Sequence, residues 1–436
     1  MAESNSRMDD EKPGIPLQPV KGMRDILGKP ARVKRWVEQI IYQKALQYGF
    51  EPMQVPVIEY YDLLAAKGGA GDAVQKEMFR LEDQSKRQLG LRFEFTTSLA
   101  RVVIGNPDLP KPIKSFNLGT VYRYENPQAF RYREFTQGDV DIIGSPFPEA
   151  DAECLSFAID TMRALGFEDF SIRLNDRRIM NELMSMNGIP PSRTTEAMRI
   201  LDKWDKLGQE GVRKELQAAE LPITILTYLN DALEKTKNDV KTSAIATQGI
   251  MALETIMALL GAQGKDEYVT YDPSLVRGMD YYTGSVFEIQ AGITASVGGG
   301  GRYDTLIQYF GGPSLPAVGI SFGVDRLVDI LAETFEETRV EVYVIPIGDT
   351  LPTCLNVIDR LRAYGLRVEI DLMRRGISKN MNYANSQGIP VVLILGEDET
   401  ANGGITLRDM TSGEETLIPL DEKGKLEKEI ERRILK

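Results

Sequence analysis

Apolar side chains recur at helical spacing in the first long patterned segment of the chain, between Pro30 and Tyr48. Pro30 stands at the start of this segment and Gly49 just past its end, which are the positions that proline and glycine favour at helix ends. The spacing is kept by Val33, Trp36, Val37, Ile40, Ile41 and Ala45. The pattern predicts an amphipathic helix with one buried face.

Period-two alternation replaces the helical pattern over residues 114–144, on both sides of the Asn126-Pro127 turn signal. This arrangement predicts a long antiparallel hairpin. On its second strand, Gln137, Asp139 and Asp141 would project to one face, where a half-buried strand normally places core residues. The polar face is either a solvated sheet face or a binding surface, and the pattern alone leaves both open.

Helical spacing returns after the hairpin and later gives way to strands again. Residues 149–165 predict one helix, and residues 176–261 predict a helical insertion with Ser192 as a candidate N-cap and Gly188 and Gly208 as stops. Strand signals follow at 267–270, 285–290, 294–297 and 317–321. We expect the hairpin and these strands to share one mainly antiparallel sheet flanked by helices.

Beyond residue 337 short apolar strands alternate with helical segments. The strands read "VYVIPIG", "RVEID" and "PVVLILG", and such alternation predicts β-α-β units in a separate small domain. The predicted fold is therefore a multidomain α/β protein. Its predicted boundaries are 1–20 for a flexible N-terminus, 21–337 for the main domain with the insertion at 176–261, and 338–436 for the last domain.

The composition excludes several kinds of chemistry. None of the 436 residues is histidine, so a Ser-His-Asp or Cys-His nucleophile pair, an H-E-x-x-H metal helix and an imidazole base are all impossible. The only two cysteines, Cys154 and Cys354, are far apart in the sequence and lie within helical patterns, so neither a disulfide framework nor a Cys-rich zinc site is expected. The chemistry must use arginine, carboxylate and metal ions, and we predict no metal-ligating residues.

No apolar run in the sequence approaches the ~20 residues that a membrane span requires. The opening "MAESNSRMDDEKPGIPLQPV" lacks the apolar core of a secretory signal. We expect a cytoplasmic protein with no membrane partner.

Arginines gather around the hairpin turn of a chain whose net charge is −12. Arg123, Arg131 and Arg133 flank the turn, with Tyr124 and Tyr132 between them, and no lysine occurs in residues 120–144. Planar guanidinium groups bind phosphate and carboxylate through paired hydrogen bonds, whereas lysines act as point charges. The cluster favours oriented binding of an anion.

Three further peptides carry candidate chemistry, although each alone also fits an ordinary strand or a solvated helix. In "LVRGMDYYTGSVFEI", 275–289, Arg277 is the single cation, and Tyr281 and Tyr282 would face opposite ways if the segment is extended. "SVGGGGRYD", 296–304, permits close ligand approach, but it is neither a P-loop nor G-x-G-x-x-G. "AVGISFGVDRLVDIL", 317–331, is a glycine-bearing strand that leads into a helix with Arg326 in its first turn.

Together and in this order, these segments resemble the histidyl-tRNA synthetase family of class II aminoacyl-tRNA synthetases. "YRYENPQAFRYREFTQGDVDIIG" resembles motif 2, "GISFGVDRL" resembles motif 3, and "LVRGMDYYTG" and "GGGGRYD" resemble two peptides particular to the family. The likeness starts at "KGMRDILG", 21–28, and reaches the last domain. It implies a class II catalytic domain at 21–337 and an anticodon-binding α/β domain at 338–436.

The resemblance also implies the reaction, in which ATP and Mg²⁺ activate histidine and tRNA(His) receives it. Arg123 would bridge the histidine carboxylate and the α-phosphate of ATP, and Arg131 and Arg326 would clamp the tail of ATP. Arg277, which is implied both in catalysis and in histidine binding, would sit on the α-phosphate. The histidine pocket would consist of Glu94, Thr96 and Gln137 around the α-amino group, Asp141 and Tyr282 on the imidazole, and Tyr281 in the wall.

Further implied partners are a second copy of the chain, as a homodimer, and the tRNA acceptor arm, which the insertion would approach. In the last domain, Arg374, Arg375 and Lys379 are candidates for tRNA contact, and an ordinary solvated helix start is the alternative. The sequence departs from the family at Tyr124, where motif 2 commonly carries histidine.

Two other functions fit the same fold. One is the catalytically inactive paralogue that binds histidine as a regulatory subunit of ATP phosphoribosyltransferase; it tends to lose the Arg277 peptide and the last domain, and this chain has both. The other is a class II synthetase for another amino acid, such as proline or threonine. The "RGMDYY" peptide argues against that reading.

Overall fold

We analysed a computed structural model of the chain, which describes residues 16–66, 77–127, 130–276, 281–292, 296–336, 339–422 and 424–434. The chain forms two compact units, Met1–Glu333 and Thr334–Lys436. Most of the N-terminal segment that we predicted to be flexible lies outside the described residues. The domain boundaries drawn from the sequence remain predictions.

The first unit is built on an eight-stranded sheet with the order β1-β5-β6-β11-β10-β9-β7-β8 and a small sheet with the order β2-β4-β3. Pairing in the large sheet is antiparallel except at its edges, where β1 runs parallel to β5 and β7 to β8. The mainly antiparallel sheet was predicted. Its strands and those of the small sheet are β1 (Glu51–Pro52), β2 (Ile58–Tyr60), β3 (Arg80–Glu82), β4 (Gln88–Leu91), β5 (Ile113–Tyr122), β6 (Glu134–Ile143), β7 (Ser171–Asp176), β8 (Val269–Tyr271), β9 (Ser285–Gln290), β10 (Gly298–Arg302) and β11 (Ala317–Gly323).

Helices flank the sheet, and the first of them is the predicted amphipathic helix, whose buried face consists of Val33, Val37, Ile41 and Ala45. Short 3₁₀ helices lie at Pro191–Arg193, Ile223–Thr227 and Asp266–Tyr268. The α-helices of this unit are α1 (Lys29–Gln47), α2 (Tyr61–Ala65), α3 (Thr96–Gly105), α4 (Pro148–Ala164), α5 (Arg177–Met186), α6 (Thr194–Leu201), α7 (Trp204–Ala218), α8 (Leu233–Val240), α9 (Ala244–Ala262), α10 (Leu306–Tyr309) and α11 (Val324–Leu331).

Strands β5 and β6 form the predicted long hairpin, in register from Ile113 opposite Ile143 to Tyr122 opposite Glu134. Gly138 of β6 faces α1, because a Cβ there would lie 3.1 Å from Cγ2 of Ile41. Side chains alternate along a strand, so the polar residues on either side of Gly138 face away from α1. The predicted polar face of β6 is confirmed.

The glycine run, for which the sequence predicted no element, is a central strand of the large sheet, β10. A Cβ at Gly300 would lie 1.9 Å from the carbonyl oxygen of Gly319, and one at Gly298 would lie 2.7 Å from that of Ser321. Glycine is required there because β11 approaches β10 closely, a use of glycine that strand propensity conceals. The expected strand at 294–297 falls partly outside the described residues.

The region 176–261 is helical, as predicted, although one of its predicted helix-boundary residues, Ser192, has a different role. Gly188 follows α5 with φ 77°, as a stop should. Ser192 is not an N-cap, because it lies inside a 3₁₀ helix that precedes α6. Gly208, with φ 64° and ψ 176°, separates two helical stretches within α7, so it breaks the helix as predicted.

Helix α9 corrects one expectation, because by length and composition it could cross a membrane. It packs against α4 and α5 in the first unit. Its buried residues are Ala246, Gly249, Ile250, Leu253, Ile256 and Leu260. A core helix of a soluble protein passes the same test, so a single such helix is weak support for a membrane span.

The second unit is a five-stranded sheet with the order β13-β12-β14-β15-β16. Its first three strands pair in parallel, as the predicted β-α-β units require, and the last two, which were not predicted, pair antiparallel. Apolar clusters cover both faces of this sheet. The elements are β12 (Val342–Pro346), α12 (Leu351–Ala363), β13 (Val368–Ile370), α13 (Ile377–Ser386), β14 (Val391–Leu395), α14 (Glu397–Ala401), β15 (Gly404–Asp409), β16 (Glu415–Pro419) and α15 (Lys425–Ile434).

Candidate active site

A cavity of about 750 Å³ lies on the polar face of β6. Every residue that we predicted for the ATP and histidine sites lines this cavity, except Arg277, which lies outside the described residues. The described lining holds three arginines and nine carboxylates, so an anionic ligand has to lie at the arginines. The carboxylates are Glu77, Glu94, Glu125, Asp139, Asp141, Asp202, Asp205, Glu288 and Asp325.

Two of the lining arginines belong to the connection between β5 and β6. Arg123 donates from Nε to the carbonyl of Phe93 at 3.2 Å, and its guanidinium lies 5.1 Å from the centre of the Phe135 ring. Arg131 is half exposed and pairs with Glu125, with 3.6 Å between Nη1 and Oε2. Both guanidinium groups are therefore held at the cavity wall and not buried beneath it.

The third lining arginine, Arg326, lies in the first turn of α11. Its Nε donates to the carbonyl of Phe130 at 3.3 Å, and its Nη1 donates to the carbonyl of Ser296. These carbonyls belong to two loops at the rim, one before β6 and one before β10. Arg326 therefore links both loops at the cavity, in contrast to the alternative of an arginine on a solvated helix face.

A network behind these arginines fixes α11 relative to β6. Arg24 lies 3.6 Å above the Tyr132 ring and donates to Asp325 at 3.0 Å and to Asp329 at 3.2 Å. The other carboxylate oxygen of Asp325 accepts a 2.6 Å hydrogen bond from the backbone N–H of Thr136. Sequence reasoning quoted the "KGMRDILG" peptide but did not single out Arg24 as a support of the site.

Asp141 lies over Gly319 of the neighbouring strand. A Cβ at position 319 would be 2.1 Å from Oδ1 of Asp141, so only glycine leaves room for this carboxylate. The hydroxyl of Tyr303 donates to the same oxygen, and both residues are 4% exposed. The Asp141 carboxylate is thus buried and oriented by a phenol, and it faces the cavity.

Asp139 is a second buried carboxylate, two residues earlier on the same face of β6. Burial, followed by the charge of Asp141, raises the pKa of Asp139 well above its ordinary value, although the hydrogen bond from Ser321 and the charge of Arg123 oppose this shift. The Ser321 hydroxyl also accepts a 3.0 Å hydrogen bond from Nε2 of Gln137. Two adjacent carboxylates in a buried wall favour a cationic ligand.

Glu94 faces the cavity just before α3. Its carboxylate accepts hydrogen bonds from the backbone N–H groups of Thr96 at 2.8 Å and Thr97 at 2.9 Å. The start of a helix favours negative charge, so this local structure holds Glu94 in place. Thr96, which the sequence assigned to the same subsite, also lines the cavity.

Tyr281 and Tyr282 both line the cavity, and the condition under which they would face opposite ways, an extended segment, is not met. Their ring centres are 4.7 Å apart, and Tyr281 also meets Tyr303 edge-on at 5.9 Å. The expectation assumed an extended segment, but β9 begins only at Ser285. The tyrosine pair precedes the strand, so alternation does not apply to it.

The helical insertion contributes to the cavity through Asp202 and Asp205. Arg173 of β7, which is 8% exposed, binds Asp205, Asp272 at 2.6 Å and Glu288 at 3.2 Å. A single buried guanidinium therefore connects the insertion to the sheet. Sequence reasoning missed this group because its partners lie far apart along the chain.

Arg302, at the end of the glycine strand, is a support of the site and not a lining residue. It is 6% exposed and forms an ion pair with Asp151 of α4, which is 1% exposed. It also donates to the carbonyls of Ser145 at 2.9 Å and Phe147 at 3.0 Å. The arginine of "GGGGRYD" thereby joins β10 to α4.

In the second unit, the residues predicted to contact tRNA lie between β13 and the start of α13. Asp371 accepts the backbone N–H of Arg375 and pairs with its side chain at 3.3 Å, and the guanidinium lies 4.7 Å from the centre of the Tyr383 ring. Arg374 is exposed with φ 52°, and Lys379 is exposed in the first turn of α13. Arg375 therefore supports the loop, whereas Arg374 and Lys379 face solvent.

The cavity wall also contains residues that were not predicted as site residues, among them Asp139, Tyr303 and Ser321. Asp139 was visible as part of the period-two polar face. Tyr303 and Ser321 stood inside quoted motifs, but each depends on a partner on another strand. Their roles follow from strand register, which a single sequence does not specify.

Comparison with known proteins agrees with the motifs. The family model described as histidyl-tRNA synthetase matches residues 22–327, and the one described as anticodon binding domain matches residues 341–429. A relative from Bacillus cereus (strain ATCC 10987 / NRS 248), histidine–tRNA ligase 1, is 36% identical over 93% of this chain and 95% of its own.

Two solved structures share the fold. A histidyl-tRNA synthetase from Nostoc sp. PCC 7120 has a TM-score of 0.83 at 27% identity, over 96% of this chain and 100% of that one. The second structure is a protein from Bacillus halodurans C described as an ATP phosphoribosyltransferase regulatory subunit/histidyl-tRNA synthetase. Its TM-score is 0.75 at 23% identity, over 88% of this chain and 99% of that one. At this identity the likeness shows the fold alone.

The fold and the motifs together are those of a class II aminoacyl-tRNA synthetase, as the sequence predicted. Within that class, the chain belongs to the histidyl-tRNA synthetase family.

Proposed function

We propose that the protein activates L-histidine with ATP and then transfers the histidyl group to the 3′ end of tRNA(His). The observation that carries this proposal is the division of one cavity into an arginine part and a part with two buried carboxylates. The first part suits the triphosphate and the second suits the cationic groups of the amino acid. Family membership supports the same assignment.

In the first step, an oxygen of the histidine carboxylate attacks the α-phosphorus of ATP and pyrophosphate leaves. Arg123 would hold the carboxylate and the α-phosphate together, and Arg131 and Arg326 would hold the leaving phosphates. The proposed role of Arg277 at the α-phosphate rests on the motif resemblance. Catalysis of this kind depends on alignment and on charge placed where negative charge develops, and it needs no general base.

The amino acid would bind with its α-ammonium group near Glu94, Thr96 and Gln137. Its imidazole would meet Asp141 and Tyr282, with Tyr281 in the wall. A buried carboxylate that needs a donor discriminates strongly against side chains without one, because such a ligand leaves the carboxylate unpaired. The Tyr303 hydroxyl bound to Asp141 supports this role, since it fixes the direction of the carboxylate.

Mg²⁺ would enter with the triphosphate. Among the described residues, no group of three His, Cys, Asp or Glu side chains forms a metal site, so phosphate oxygens would supply much of the coordination. Glu77 and Glu125 are the acidic residues beside the arginine part. Burial and the charge of Glu125 raise the pKa of Glu77, and an added cation would offset this repulsion.

In the second step, the 3′ adenosine of the tRNA attacks the histidyl-adenylate and releases AMP. The loop after β13 would bind the anticodon, because it exposes Leu372 at 83% and Met373 at 69% next to Arg374. Apolar surface beside a guanidinium group suits unstacked bases and phosphates. We further propose that the protein works in the cytoplasm as a homodimer.

The test is ATP–pyrophosphate exchange with each of the twenty amino acids, followed by charging of tRNA(His). Exchange that depends on histidine alone is expected. Binding of histidine without any exchange would refute the proposal and favour a regulatory subunit. Exchange with proline or threonine would instead indicate a synthetase of another specificity.

Asp141→Asn sharpens this test because it keeps the size of the side chain and removes its charge. We expect weaker histidine binding and poorer selectivity among amino acids. Asp160→Asn is a matched control, since Asp160 lies in α4 and pairs with Lys265. Unchanged selectivity in Asp141→Asn would remove Asp141 from the pocket.

A further inference from the structure

Ser321 of β11 connects two cavity residues of β6. It lies directly opposite Asp139 in the strand register. Its hydroxyl donates to Oδ1 of Asp139 at 2.5 Å and accepts from Nε2 of Gln137 at 3.0 Å. The three side chains therefore form a continuous hydrogen-bonded row on the cavity face.

The hydrogen bonds of the structure give this row a direction. A serine hydroxyl carries one proton. Ser321 donates that proton to Asp139 and accepts from the amide of Gln137. The amide of Gln137 must then direct its NH₂ group toward Ser321 and its carbonyl oxygen Oε1 away from it.

Nothing else in the register constrains Gln137. Its neighbours on both adjacent strands are glycines, Gly119 on β5 and Gly323 on β11. Within the described part of the chain, Oε1 of Gln137 is shielded from solvent and accepts no hydrogen bond. A buried acceptor without a donor is unfavourable, so the site is prepared for a ligand that donates.

We propose that Asp139 and Ser321 form a positioning pair that fixes the Gln137 amide with Oε1 toward the α-ammonium group of the bound amino acid. This inference rests on the proposed function and adds two positioning residues to it. Without the pair the amide can rotate by half a turn and present its NH₂ group. That group repels an ammonium ion, so affinity falls for ligands that carry the α-amino group.

The experiment compares Ser321→Ala and Ser321→Cys with the unchanged full-length protein; both remove the hydroxyl without changing the charge of the site. Binding is measured by calorimetry for histidine, for histidinol, which keeps the amine, and for 3-(imidazol-4-yl)propionate, which lacks it. We expect Ser321→Ala to bind histidine and histidinol on the order of tenfold more weakly, and Ser321→Cys, whose thiol is a weak donor and acceptor, to change in the same direction. Binding of the propionate is expected to stay unchanged, a split that general damage to the pocket would not produce.

Ser115→Ala is the matched control. Ser115 is 1% exposed, lies opposite Asp141 in the register, and its hydroxyl makes no hydrogen bond within the described residues. Its loss is expected to leave the binding of all three ligands unchanged. Thermal unfolding of each variant shows whether the protein is folded, and Ser321→Cys provides a change of nearly the same size should Ser321→Ala unfold.

Equal weakening for all three ligands, or no weakening for any, would overturn the positioning pair. The proposed function fails separately, when the unchanged protein shows no histidine-dependent exchange. In that case the binding comparison still decides the inference, because calorimetry does not require turnover. A protein that binds none of the ligands would refute both.

Discussion

The central strands of the two units use their faces in opposite ways. In the first unit, β6 places Gln137, Asp139 and Asp141 on one face, and the neighbouring strands supply glycine, serine and tyrosine around them. In the second unit, β12 and β14 are buried and apolar on both faces. The candidate tRNA-contact residues of that unit lie between β13 and the first turn of α13 instead.

The difference shows the condition under which a buried sheet face can hold charged side chains. Burial of a carboxylate is costly unless donors meet it, and in the first unit Ser321 and Tyr303 are those donors. A loop avoids the cost because its charged groups stay in water, as Arg374 does. The first unit therefore suits a small ligand that is enclosed, and the second suits contact with a large one.

The largest effect on activity and stability is expected at Gly300, where the backbones of β10 and β11 are in close contact. Gly300→Ala would put a Cβ 1.9 Å from the carbonyl oxygen of Gly319, so β10 and β11 would have to separate. We expect loss of histidine-dependent exchange and a large fall in the unfolding midpoint, measured by circular dichroism.

The matched control in the second unit is Gly376→Ala. A Cβ there meets nothing within 4 Å, and the backbone φ is −67°. Its effect on stability should stay within about 0.5 kcal/mol. Equal stability of the two variants would contradict the close packing of β10 on β11.

A slightly smaller effect on stability is expected from breaking the buried ion pair between Arg302 and Asp151 in the first unit. Arg302→Met leaves Asp151 buried without its partner, which should cost about 3–5 kcal/mol in the free energy of unfolding. The exposed pair of the second unit, Arg339 with Glu369, offers the comparison. Arg339→Met should cost at most about 1 kcal/mol. Denaturant titration measures both, and similar losses would show that burial does not distinguish the pairs.

Arg374→Gln tests the loop of the second unit and should affect only tRNA. We expect the KM for tRNA(His) to rise roughly fivefold and the salt dependence of tRNA binding to weaken by about one phosphate contact. Exchange of ATP and pyrophosphate should not change. A loss of exchange would mean that the loop acts on the first unit and is not a separate tRNA contact.

The smallest effect is expected at Tyr124, where the family commonly has histidine. The ring lies 4.0 Å beneath the guanidinium of Arg133 and meets Phe79 edge-on at 5.2 Å. Tyr124→His keeps an aromatic ring, so exchange should stay within a few-fold of the original rate. Tyr124→Ala removes the ring and should lower the rate further. Equal rates in both variants would show that the ring contributes nothing.

Local pattern predicted those parts of the fold that depend on neighbouring residues along the chain. The helix at Lys29–Gln47, the long hairpin and the parallel strands of the second unit all follow from periodicity and turn signals. The glycine strand could not be predicted in this way, because its glycines leave room for the backbone of β11, and that contact is not encoded in the local pattern. Periodicity has no signal for such a contact.

The same division holds at the site. Arg123, Arg131 and Asp141 could be proposed from charge, alternation and motif likeness, and they do line one cavity. Arg24, Arg173 and Ser321 could not, because each binds a group more than a hundred residues away in the sequence. Their importance depends on register and packing, which appear only in three dimensions.

The stacked ring of Tyr124 also bears on how the protein is made. Tyr124 stands where the family commonly has histidine, and none of the 436 residues of this chain is histidine. Under the proposed function, a ribosome short of histidyl-tRNA would pause on other messages and still complete this one. Synthesis of the enzyme would then be independent of its own product, so a starved cell could make the enzyme from amino acids that it still has and resume charging as soon as histidine returns.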